Sequence, residues 1–112
     1  MAMTSAGMNV ERMTHQQRSV LIYLETRAVD HGGLVDTRMM NKQDMDIVDA
    51  WVAAGYIGFG RVQAKDVELT GCTHWVTIGE LALAAAHAER KARIIRVWTQ
   101  RQWRKSSEAS TK

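Results

Sequence analysis

Arg90, Arg93, Arg101 and Arg104 recur at the spacing of one helical face, with Trp98 and Trp103 among them. Guanidinium groups in such a row grip phosphates, and aromatic rings between them stack on unpaired bases. The same pair of residue types anchors protein interfaces, so an acidic protein surface is the competing partner. A solvated face beside a dimer seam is the plain structural reading. A second cluster, Cys72-Thr-His74, would put a thiol and an imidazole on one side of a strand. Zinc takes three or four ligands, and no further cluster follows at finger spacing, since His15, His31 and His87 are scattered. A nucleophilic Cys–His pair needs an orienting acid and an oxyanion loop, and neither is evident. The third candidate is Gly55-Tyr-Ile-Gly-Phe-Gly-Arg61. A phosphate-cradling loop needs its glycines between a strand and a helix N-terminus. Here they follow a helix and fall inside a strand, and no Gly-Lys-Ser/Thr occurs. These residues point to binding, with no catalytic residue, metal or cofactor expected.

Composition sets the frame. A chain of 112 residues favours one domain, and 46% hydrophobic with 24% charged residues is ordinary for a globular one. No apolar run approaches the roughly 18 residues of a membrane span. The first residues lack the apolar stretch of a signal peptide. The single cysteine excludes an internal disulfide and fits a reducing cytoplasm. Net charge is +3, but residues 1–88 sum to −3 and residues 89–112 to +6. A basic end on a mildly acidic body suggests an anionic partner for that end.

The elements that must position these residues follow from capping signals and periodicity. Residues 1–13 are Met-rich and aperiodic, which reads as a flexible tail. Thr14 and Gln17 have capping-box spacing, and Val20, Leu21, Leu24 and Ala28 recur behind them, so a helix is expected over 15–29. Asp30-His-Gly-Gly33 ends it, and Leu34-Val-Asp36 leans to strand. Asn41 is a suitable N-cap for a second helix over 42–54, with Met45, Val48, Val52 and Trp51 as its apolar stripe. Residues 56–62 and 73–78 alternate as strands, with a polar tip between them, making a hairpin. Gly58 and Gly60 suggest close backbone approach. Thr77 and Glu80 repeat the capping-box spacing before a helix that can reach Arg104, on which Leu81, Ala84, Ala88, Ile95 and Trp98 share one side. Residues 106–112 read as a disordered tail.

The order of these elements, with Ile47-Val-Asp-Ala-Trp-Val-Ala-Ala-Gly-Tyr-Ile57 and Trp75-Val-Thr-Ile78, resembles a winged-helix domain of the MarR or PadR type over residues 15–98. The resemblance implies an α+β fold, a recognition helix running into a two-stranded wing, and a long C-terminal helix that dimerises, within a domain spanning 14–105. It departs from that pattern at Asp36-Thr-Arg-Met-Met40, which has room for one turn where a full helix belongs, so the helix-turn-helix is truncated. Asp30-His-Gly-Gly-Leu-Val-Asp-Thr-Arg-Met-Met-Asn41, Gly58-Phe-Gly-Arg61, Thr73-His-Trp-Val76 and Ala86-His-Ala-Glu-Arg90 also look like small proteins of tailed bacteriophages. That likeness implies a bacterial host cytoplasm and brings no activity with it.

The leading expectation is therefore a phage-encoded regulator of transcription that binds double-stranded DNA as a homodimer. Arg38, Asn41, Lys42 and Gln43 at the start of the second helix would approach base edges. Arg61 and Lys65 of the wing, with Arg90, Arg93, Arg101 and Arg104, would neutralise phosphates, while Ile95, Trp98 and Trp103 would form a partner interface. Asp44, Asp46 and Asp49 on the same helix oppose a polyanion and favour the alternative, an accessory protein that binds and inhibits a host polymerase, nuclease or defence complex.

Overall fold

The computed structural model describes residues 8–110, with side chains through Gln102. Helix α1, His15–Asp30, starts where the Thr14 hydroxyl accepts from the Gln17 amide and the Gln17 side chain accepts from the Thr14 amide. It stops at Gly32 and Gly33, both at positive φ. Gly33 has a second constraint: a Cβ there would stand 2.8 Å from the Val76 carbonyl oxygen. That carbonyl belongs to the strand that α1 packs on, so only glycine lets the chain turn this close to the sheet. Strand β1, Leu34–Val35, follows, then a 3-10 turn over Thr37–Met39. That single turn occupies the place where the sequence left no room for a helix.

Helix α2, Lys42–Ala53, opens with a reciprocal box between Asn41 and Asp44. It buries Val48 and Trp51, leaving Val52 on the solvent side. Strand β2, Ile57–Arg61, leads to helix α3, Ala64–Thr70, then to strand β3, His74–Ile78, and helix α4, Glu80–Ser110. Among the described residues these make four α-helices and one antiparallel sheet in the order β1-β3-β2. An α+β fold is thus observed.

The core lies between the sheet and the three long helices. Leu21 and Leu24 of α1, Val35, Val48 and Ala82 and Ala86 of α4 are fully buried, with Val20, Trp51, Ile57, Val76 and Ala85 almost so. On the opposite face of the sheet, Gly58 and Gly60 lie beside Trp75, whose indole covers Gly60 so closely that a Cβ would stand 2.5 Å from the ring. Close approach at these glycines is therefore what the sheet requires.

Four expectations are corrected. The hairpin tip is the helix α3, because Gln63 to Thr70 contains enough helix formers for two turns before Gly71 stops it at positive φ. Residues 8–13 are ordered: Val10–Arg12 form a 3-10 turn, Met8, Val10 and Met13 pack on the core, and Arg18 Nε donates to the Val10 carbonyl at 3.0 Å. Residues 1–7 of the expected tail lie outside the described residues. Thr77 does not cap α4, because it pairs with Gly58 within the sheet and the helix begins only at Glu80. The chain stays helical through Ser110, past residue 106 where a disordered tail was expected.

Candidate nucleic-acid interface

One end of the sheet gathers several of the expected contact residues. Val35, His74 and Arg61 are paired side by side there. The 3-10 turn carrying Arg38 begins two residues after Val35, and its Thr37 hydroxyl lies 3.1 Å from the Thr73 hydroxyl at the foot of β3. The entry to α2 and the end of β2 are thereby tied together. Arg61 is exposed, and Phe59, two residues before it on the same side of β2, stacks on His74 with ring centroids 5.2 Å apart. Burial and then the Arg61 charge push the His74 imidazole below its ordinary value, which favours the neutral ring. Its Nδ1 sits 2.8 Å from the Thr73 hydroxyl.

The residues at the start of α2 differ in what they have left to offer. Arg38 holds Asp36 through two 2.9 Å contacts while keeping 80% of its side chain exposed. The Arg38 hydrogen bonds hold the Asp36 carboxyl below the usual carboxylate range. Asn41 is occupied as the N-cap, its side-chain oxygen accepting from the Asp44 amide at 2.8 Å. Asp44 is occupied too, accepting from the Asn41 amide and, at 2.9 Å, from Gln16 Nε2. Lys42 and Gln43 are exposed and make no side-chain hydrogen bond among the described residues. Asp46 and Asp49 are exposed further along the helix. Lys65 is exposed on α3.

The arginines of α4 divide into two groups. Arg90 reaches back to α1, donating to Glu25 from both Nε, at 2.9 Å, and Nη2, and to the Thr26 hydroxyl at 2.7 Å. Arg93 donates to Glu89 at 2.6 Å, and Arg96 Nη2 lies 3.1 Å from the same carboxylate. Arg18 of α1 approaches it at 4.0 Å. Glu89 is only 1% exposed, and Glu25 is also buried. Burial pushes the Glu89 carboxyl up, but the Arg93 hydrogen bond and the Arg96 and Arg93 charges outweigh it and leave it below the ordinary value. Arg90 is therefore the clasp between α4 and the body of the fold, while Arg93 and Arg96 balance Glu89 within α4 itself. Arg101 is exposed and makes no ion pair among the described residues. Ile95 and Trp98 are exposed, with Ile94 and Val97 beside them. The side chains of Trp103 and Arg104 lie outside the described residues.

Glu25 and Glu89 are the residues that sequence reasoning passed over. Glu89 had a local signal, since Glu-to-Arg at i,i+4 is a favoured helical pair. Glu25 had none, because its partner lies 65 residues away. Cys72 is buried, and Arg27 Nη2 approaches its Sγ at 3.4 Å. Among the described residues no three His, Cys, Asp or Glu side chains are placed to hold a metal, and no helix is long and apolar enough to cross a membrane. Comparison with known proteins found no matching family, curated protein or solved structure.

Proposed function

We propose that the protein binds double-stranded DNA without catalysis, as a regulator of transcription built on a truncated winged helix. The element order α1-β1-turn-α2-β2-β3 and the sheet order β1-β3-β2 support this reading. The observation that carries it is a set of exposed polar and cationic side chains, Lys42, Gln43, Arg61 and Lys65, that take no hydrogen-bonding partner among the described residues. Lys42 and Gln43 open α2, and Arg61 ends β2, where the turn before α2 is bonded to the foot of β3. In this arrangement Lys42 and Gln43 approach base edges, and Arg61, Lys65 and the outer guanidinium edge of Arg38 hold phosphates. Asp46 and Asp49 repel a duplex, so only the first turn of α2 enters the groove. Asn41 serves the helix, Arg90 serves the attachment of α4, and Arg93 is paired with Glu89 within α4.

The test is fluorescence anisotropy with duplex DNA at about 50 and 200 mM salt. Binding that weakens steeply with salt, and weakens further in Arg61→Ala/Lys65→Ala across all sequences, supports the reading. Absence of binding at the lower salt overturns it.

A second reading has its own support. Ile94, Ile95, Val97 and Trp98 expose an apolar surface, and α2 exposes two carboxylates. Both suit an accessory protein that binds and inhibits a protein of a bacterial host. Binding through that surface would change little with salt and would respond to α4 substitutions instead of Arg61.

A further inference from the structure

Helix α4 carries a seven-residue repeat on the side that faces away from the body. Leu81, Ala84, Ala88, Lys91, Ile95, Trp98 and Gln102 follow alternating steps of three and four, and every one is exposed. Such a stripe is a coiled-coil seam. The core-facing side of the same helix, Ala82, Ala85, Ala86 and Glu89, is already filled. The seam is unequal along its length. Its first half, Leu81 with the small Ala84 and Ala88, forms the floor of an open groove of about 770 Å³, walled by Met8 and Val10 of the N-terminal segment. Its second half is large: Ile95 and Trp98 project with half or more of their surface exposed.

We propose that α4 pairs with α4 of a second copy in antiparallel orientation, the large half of each seam seated in the groove of the other. Seam positions of opposite type then face one another. Trp98 of the second copy covers Leu81, Ile95 of the second copy covers Ala84, and Lys91 of the second copy lies over Ala88. Small meets large where Ala84 and Ala88 face Ile95 and Lys91, as close packing demands, and Leu81 packs on Trp98 at each end. A parallel pair would instead stack Ala84 on Ala84 and Trp98 on Trp98, leaving a gap at one end and crowding at the other. Charge agrees with the antiparallel register: Glu80, exposed at the start of α4, comes beside the exposed Arg101 of the second copy. The two Lys91 side chains lie near the two-fold axis. Their stems cover Ala88 and their ammonium groups turn out to water, a device that costs affinity and fixes register. The pairing goes beyond the DNA reading and does not depend on it.

The first measurement is solution mass by light scattering. The wild type is expected at twice 12.6 kDa, Trp98→Glu at 12.6 kDa with unchanged circular dichroism, and Lys91→Leu as a dimer that survives greater dilution. Register is read from disulfide trapping, with buried Cys72 left in place. Mixed Ala84→Cys and Ile95→Cys chains are expected to cross-link to one another, and neither chain to itself. A wild type of 12.6 kDa at every concentration overturns the pairing, as does a Trp98→Glu dimer. Self-linking of Ala84→Cys, or a dimer in which the mixed chains do not link, overturns the antiparallel register.

Discussion

Glu89 is a buried carboxylate of α4 balanced mainly by arginines of its own helix. A carboxylate 1% exposed is costly unless it is paired, and here two guanidinium groups of its own helix are in contact and a third approaches from α1. Replacing Glu89 with Ala removes that partner but leaves arginines that reach water, and is expected to lower unfolding free energy by about 1.5 kcal/mol in urea titrations. Because its folded-state pKa is depressed, the stability it contributes is present above the unfolded value of 4.5 and is lost as pH falls through the folded value. Glu89→Gln is therefore expected to flatten the loss of stability on acidification, read as the denaturation midpoint against pH below 5. His74 is tuned by its neighbour as well as by burial. Arg61→Ala removes one of the two causes, so the ring should titrate closer to 6.5 by NMR, with burial keeping it below that value. No rise in that variant would mean that burial alone depresses the ring.

Among the elements, α2 separates a structural role from a binding role within three consecutive residues. Asn41→Ala removes a reciprocal cap and is expected to cost about 1 kcal/mol of stability. Lys42→Ala touches no partner within the fold, so stability should hold while DNA affinity falls. The two variants compared by thermal melting and anisotropy distinguish a cap from a contact. The loop between α1 and β1 offers an equally direct test of geometry. Gly33→Ala combines a positive φ with a Cβ 2.8 Å from the Val76 carbonyl, and should destabilise by about 2 kcal/mol or more. The two capping boxes at the starts of α1 and α2 could be read from Thr14, Gln17 and Asn41 because capping is local chemistry. The Thr77–Glu80 spacing matched the same pattern and failed because Thr77 is taken by the sheet, a pairing that local spacing cannot reveal.

At the scale of the whole molecule, α4 governs the shape. Its 31 residues span about 46 Å at 1.5 Å per residue. The radius of gyration, 17.7 Å, exceeds the roughly 13 Å of a compact chain of this length. From Ile94 to Gln102 every described side chain of α4 is exposed, so the distal half stands away from the body. The Glu25–Arg90 clasp sets where that projection begins. Arg90→Ala should therefore lower stability, and change DNA affinity far less than Arg61→Ala does. The comparison of thermal midpoint with anisotropy for the two variants checks this.

Features that depend on neighbours along the chain were legible in the residues alone. The helix starts at Thr14 and Asn41, the alternation of Ile57 and Phe59 and the basic bias of the end of the chain all follow from short-range pattern, because capping, pleat and periodicity act over a few residues. Which side of an alanine-rich helix is buried was set by packing between distant segments. Ala82, Ala85 and Ala86 compete with Leu81, Ala84 and Ala88, and hydrophobicity cannot choose between two sides so alike; the fit against α1 does. Packing also decided the fate of the arginines. Four in a row look equally available for phosphate until Glu25, 65 residues away, and buried Glu89 take Arg90 and Arg93 for the fold itself, since a buried carboxylate needs a cation more than a solvated surface does.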